Sequence, residues 1–265
     1  VDWSGFLNCL FWNLNYWDTA STLAGEVQEP ERTYPRALGI ALLAVILSYF
    51  LPLLVGLGVP GATSFWRDWD SGELAILGQR LGGTVLKSWV IAGAAVSCLG
   101  QQLSEMAEAA FQLQGMAEEG WLPMCFARRS RFDTPSLGLV VISANVLVLS
   151  LSSNFKDIIS MLNAVYCVAQ LLEFAAFLHL RRKHSDMDRP FKVPLRSFAA
   201  CCVLLAMPLI FCCVLLVMPF LNRDWRQVAS TFGAIAASVV CYYLLELARR
   251  HRCLSFRRQP PRGLE

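Results

Sequence analysis

From Ala37 to Val59 the chain runs twenty-three residues without one charged side chain. As a helix that stretch is about 34 Å long, enough to cross the roughly 30 Å hydrocarbon core of a bilayer. A segment of this kind has no stable place on the surface of a soluble domain. The pattern recurs in seven runs, at about 3–24, 37–59, 84–113, 136–152, 158–180, 197–221 and 227–248, of which the fourth is the shortest. Only 16% of the residues are charged against 55% hydrophobic, where a soluble domain carries about a quarter charged. Because hydrocarbon offers no partner to backbone amides, runs of this length must satisfy their own hydrogen bonds as helices. The expected class is an all-α polytopic membrane protein: a transmembrane domain over 1–249 with seven transmembrane helices, then a basic cytoplasmic tail over 250–265.

The segments between runs set the orientation. Alternate segments hold 17 of the 23 Lys and Arg residues, the others 6, and the basic set marks the cytoplasmic side. The amino terminus is therefore expected outside and the carboxyl terminus inside. The chain opens at Val1 and enters a run almost at once, without an initiator Met or a basic signal-peptide start. It is expected to be the carboxyl-terminal part of a longer protein. Most of the ten cysteines lie within apolar runs and show no paired Cys-x-x-Cys spacing, and the three histidines are scattered. No metal site or disulfide framework is expected, and small apolar roles suit the cysteines. In the sixth run CCVLLAMPLIF, from Cys201, is succeeded by CCVLLVMPFLN, from Cys212. Eleven residues are about three helical turns, so Pro208 and Pro219 fall on nearly one face.

One run is too polar for a lipid-facing helix. Between Leu10 and Ser21 it reads LFWNLNYWDTAS, with Trp12, Asn13, Asn15, Tyr16, Trp17 and Asp18 near mid-membrane depth. Interrupted helices accommodate such residues where they line a cavity. A break over Asn13 to Trp17 is expected, with a second half-helix capped by Asp18 and Ser21 at its third position. The same inventory suits an organic cation: ring faces from Trp12, Tyr16 and Trp17, acceptors from Asn13 and Asn15, and countercharge from Asp18. Capping and countercharge are both open to Asp18. Two further acids lie within apolar runs, Glu105 and Glu173. Together with Asp18 they are candidates for proton coupling. For Glu105 the plainer reading is a helix becoming polar, since Glu108 comes one turn later; for Glu173 it is an acid reaching the interface or a buried pair.

Three segments carry a family resemblance. LFWNLNYWDTASTLAGEVQEPERTYPRAL (Leu10 to Leu38), LSEMAEAAFQLQGMAEEGWLPMCFARRSRFDTPSLG (Leu103 to Gly138) and LLEFAAFLHLRRKHSDMDRPFKVPL (Leu171 to Leu195) resemble the amino acid-polyamine-organocation superfamily. Within it they resemble the plant and protist polyamine uptake transporters. The resemblance implies part of a LeuT-type inverted-repeat fold, the second repeat plus the two last helices, with the seven runs as helices six to twelve. Helices one to five would then be missing partners. It implies that Trp12 resembles the aromatic gate over the substrate, that Asp18 falls where relatives place an acid, and that Asn163 is a polar residue of the tenth helix. Where relatives carry an acid before that Asn, this chain has Leu162. The implied function is secondary active import of putrescine- or spermidine-like cations by alternating access, coupled to protons and without a cofactor. The expected partners are the polyamine and membrane lipid, with no nucleic acid, and the expected location is the plasma membrane, with endomembranes as the alternative.

Two other classes compete. An amino-acid transporter of the same superfamily would need carboxylate recognition by half-helix amino termini. A seven-helix receptor matches the count and the external amino terminus, but the third run lacks an Asp-Arg-Tyr cluster and the last lacks Asn-Pro-x-x-Tyr. An enzyme is disfavoured, since neither His-Glu-x-x-His nor Gly-x-Ser-x-Gly occurs.

Overall fold

The computed structural model describes residues 2–59, 72–152, 155–184, 191, 193, 195, 197–251 and 253–257. Most of the RPFKVP motif at 189–194, tail residues 252 and 258–265, and Arg67 lie outside them. Every regular element among the described residues is helical. The helices are α1 (Trp3–Leu14), α2 (Pro30–Gly58), α3 (Glu73–Glu118), α4 (Ser136–Ser152), α5 (Phe155–Lys183), α6 (Phe198–Leu221) and α7 (Trp225–Arg250), with short 3₁₀ segments at Asp18–Glu26 and Met124–Ala127. Five of them, α2, α3, α5, α6 and α7, are long and apolar enough to cross a membrane, and Ser136–Leu151 is apolar but shorter. The chain is an integral, multi-pass membrane protein.

The first run breaks, though later than its composition predicts. Asn13 stays inside α1, its amide bonded to the Cys9 carbonyl at 2.8 Å. The helix closes at Asn15, whose backbone N–H and side-chain Nδ2 both donate to the Phe11 carbonyl at 3.1 Å. Tyr16 then takes a left-handed φ of 71°, a conformation costly for a bulky L-residue and one that stops the helix. The segment Asp18–Glu26 is 3₁₀ rather than α-helix. Thr19 Oγ1 bonds the Tyr16 carbonyl at 2.7 Å and Thr22 Oγ1 the Thr19 carbonyl at 2.8 Å. Such local hydroxyl bonds compete with the i→i−4 ladder and favour the tighter form.

Residues 1–23 and 108–265 form one compact unit, and 24–107 another. In the first unit α5 packs against α1, α6 and α7. Phe11, Cys167, Cys212 and Leu215 are its buried centre, with the Phe11 ring 5.6 Å from that of Phe211. Cys201, Cys212, Leu215 and Pro219 are all buried on α6, so the eleven-residue repeat lays down one inward stripe. A Cβ added at Gly138 would lie 3.3 Å from the Ala110 Cα and carbonyl oxygen. Glycine there admits the close backbone approach by which membrane helices pack.

In the second unit, α3 carries a kink at Gly82–Gly83, where Gly83 takes φ 68°. The third apolar run, expected from 84, starts directly after it. The preceding residues from Glu73 are helical as well, which their mixed polarity did not announce. Leu77 on this segment is buried with Val59 at the end of α2, and Lys87 Nζ bonds Gln79 Oε1 at 2.9 Å across the kink.

Candidate functional site

α5 carries Asn163, Tyr166, Gln170 and Glu173 at spacings of three, four and three residues, which puts them on one face of the helix. That face meets α1 and its break. Asn163, only 1% exposed, donates through Nδ2 to the Asn8 carbonyl at 2.9 Å and to Asn8 Oδ1 at 3.1 Å. The Tyr16 hydroxyl donates to Asn163 Oδ1 at 3.3 Å. The Tyr166 hydroxyl donates to Asp18 Oδ1. Gln170 Nε2 reaches the Tyr166 oxygen at 3.2 Å and Glu173 Oε2 at 3.3 Å. The left-handed turn at Tyr16 lets its ring lie 4.4 Å from that of Tyr166, tilted by 33°. The result is a polar seam between the broken helix and α5, closed on its inner side by Phe11, whose ring stands 6.1 Å from Tyr166 at 70°.

The seam carries two carboxylates, Asp18 and Glu173. Neither has an ion-pair partner among the described residues. Tyr166, Gln170 and the rings around them supply polarity without positive charge. Tyr166 and Glu173 are seven residues, or about 10 Å, apart along α5. Such an arrangement can receive a cation, and two carboxylates can receive a linear dication at both ends.

Of the residues singled out in the sequence, Tyr16, Asp18, Asn163 and Glu173 join the seam. Asn15 caps α1 beside it and Asn13 stays within the helix, both donating to carbonyls of α1. Trp12 is half-buried on α1 and Trp17 lies at the break, 36% exposed. Asp18 opens the 3₁₀ segment, but its carboxylate accepts from Tyr166 rather than from the amide of Ser21, so the expected cap is replaced by a tertiary contact. Glu105 belongs to the other unit, where it accepts from Gln101 Nε2 at 2.8 Å within its own helix.

Three members of the seam, Asn8, Tyr166 and Gln170, are not among the residues expected from sequence. A signal for two of them was present in the helical spacing of 163, 166, 170 and 173 within an apolar run. Asn8 had no such signal, since it stands alone in the second turn of α1. A groove of about 810 Å³ lies elsewhere, lined by Trp121, Tyr242, Glu246 and Arg250 among others, and contains none of these residues.

A family model described as amino acid permease matches residues 1–245. A polyamine transporter of Arabidopsis thaliana is 45% identical over 208 residues, covering 78% of this chain and 41% of the relative. A polyamine transporter of Oryza sativa subsp. japonica is 41% identical over 261 residues, covering 98% of this chain and 48% of the relative. The chain thus spans less than half the length of these curated relatives.

Proposed function

Because the chain belongs to the amino acid permease family, we propose that it serves secondary active import of linear polyamines, with the seam between the broken α1 and α5 as one wall of the substrate site. The observation that carries this reading is the pair of carboxylates, Asp18 and Glu173, without a cationic partner among the described residues and bordered by tyrosine rings. A zwitterionic amino acid would bring its own carboxylate against these two acids. A polyamine brings only positive charge. The polyamine transport for which the Arabidopsis and rice relatives are named supports the same substrate class.

In this reading Asp18 pairs with one substrate ammonium, and the rings of Trp12, Tyr16 and Trp17 offer their faces to the methylene chain and its charge. Asn13, Asn15 and Asn163 shape the polar lining. Glu173 takes a second ammonium or carries the coupling proton in turn. Glu105, which accepts from Gln101 within its own helix, is the other candidate for that step. Rocking of helices around the break then gives alternating access. We place the protein in the plasma membrane, with endomembranes as the alternative, and its carboxyl end in the cytoplasm on the charge asymmetry of its loops.

The test is uptake of labelled spermidine by the intact protein carrying Asp18→Asn, at matched surface levels. Removing the countercharge should lower uptake at limiting substrate about a hundredfold, as expected for loss of a charge-assisted contact of roughly 2–3 kcal/mol. Unchanged affinity would remove Asp18 from the site. Inhibition of wild-type uptake by excess leucine but not putrescine would replace the polyamine by an amino acid.

A further inference from the structure

Beyond α7 the chain reads Arg250-His251-Arg252-Cys253-Leu254-Ser255-Phe256-Arg257. A serine with arginines three and five residues before it and an aromatic residue directly after it is the charge pattern that basophilic protein kinases select. Acidic clefts in such enzymes pair with guanidinium groups at fixed offsets from the acceptor hydroxyl. Nothing in the transport site uses these residues.

The structure adds two facts. First, the serine is presented rather than packed. α7 finishes with the His251 N–H on the Leu247 carbonyl at 2.9 Å and the Cys253 N–H on the Ala248 carbonyl at 3.0 Å. After that the segment is irregular, and Ser255 is exposed. Second, among the described residues the segment is fastened at few points. The Met124 N–H donates to the Ser255 carbonyl at 2.8 Å, leaving the side-chain hydroxyl outside that bond. Arg249 does the rest: its guanidinium donates to the Gly120 carbonyl, lies 3.5 Å from the Glu246 carboxylate and covers the Phe256 ring at 5.0 Å. One arginine therefore ties the tail, the end of α7 and the loop after α3 together.

We propose that Ser255 is a phosphorylation site for a basophilic serine kinase using ATP, and that the phosphate loosens the tail from the loop at Gly120–Met124. The proposal rests on the cytoplasmic placement of the carboxyl end. In the transfer, Ser255 Oγ bonds to the γ-phosphorus as the bond to the bridging oxygen of ADP breaks, and the hydroxyl proton passes to the kinase base and then to solvent. The product carries about −1.5 to −2 charges beside Phe256. It competes for Arg249 with a neutral carbonyl, and charge-assisted bonds are about twice as strong as neutral ones. The Arg249–Gly120 bond is the contact that gives way.

The experiment uses sealed membrane vesicles holding the intact protein, the catalytic subunit of cyclic-AMP-dependent protein kinase, and ATP. In inside-out vesicles mass spectrometry should find phosphate on Ser255. It should be absent in Ser255→Ala and reduced about tenfold in Arg252→Ala, the loss of one charge-assisted contact. Trypsin should then release the tail faster from phosphorylated than from unphosphorylated protein, and Arg249→Ala should show the fast release without kinase. No phosphate on Ser255 in detergent-opened vesicles overturns the site. Phosphate at Ser255 with unchanged proteolysis overturns the loosening. Labelling in right-side-out vesicles alone overturns the cytoplasmic placement. All these readouts are independent of uptake, so failure of the transport reading leaves them interpretable.

Discussion

The hydroxyl of Tyr166, two turns into the membrane span of α5, donates to the carboxylate of Asp18, the first residue of the 3₁₀ segment beyond the break in α1. The two are 148 positions apart in the chain. Each solves a problem for the other, since a carboxylate at that depth needs a donor and a half-buried phenol packed between helices needs an acceptor.

Removing the hydroxyl alone isolates that contact. Tyr166→Phe keeps the ring stacked on Tyr16 and withdraws one donor from Asp18. An Asp18 that binds a substrate ammonium then loses the bond that aims it, and the KM for spermidine is expected to rise about tenfold with maximal uptake changed far less. Initial-rate uptake over a range of spermidine concentrations reads both values, and equal KM values would leave Tyr166 as packing only.

Glu173 ends the hydrogen-bonded series on α5 through Gln170. If it carries the coupling proton, Glu173→Gln keeps the bond to Gln170 in shape and abolishes the titration. Uptake measured between external pH 5 and 8, in roughly half-unit steps across the range where coupled carboxylates are expected to act, should lose most of its pH dependence. A profile superimposable on that of the wild type would make Glu173 a structural acid or a binding group.

Asn163 is the buried tie between α1 and α5, with bonds to Asn8 at two atoms and one from Tyr16. Asn163→Ala breaks all three and leaves their partners inside. The expected loss is about 2 kcal/mol, since hydrogen bonds inside membrane bundles average near 0.6 kcal/mol each and buried orphans add to that. The thermal unfolding midpoint of the detergent-purified intact protein should fall clearly. Leu162→Ala, next along the helix and 45% exposed, should leave it nearly unchanged.

The linear sequence could settle whatever the bilayer imposes segment by segment. Hydrocarbon thickness and the need to satisfy backbone groups make a charge-free run such as 37–59 a spanning helix whatever its neighbours do. The same physics made a continuous helix through Asn13–Asp18 untenable, and α1 does end there. It could not say where within those residues the break falls. That depends on Asn15 finding the Phe11 carbonyl and on Tyr16 accepting a left-handed turn in exchange for its contacts with Asn163 and Tyr166. Nor could it say which face of α5 turns toward α1, because an apolar helix carrying a few polar residues has several orientations of similar cost until its neighbours are in place. Tertiary packing chose the face with Asn163, Tyr166, Gln170 and Glu173. A hydrogen bond needs its partners within about 3 Å, and only the folded chain brings residues 8, 16 and 18 that close to residues 163 and 166. Asp18, which local rules assign to capping, was thereby turned into the acceptor of Tyr166.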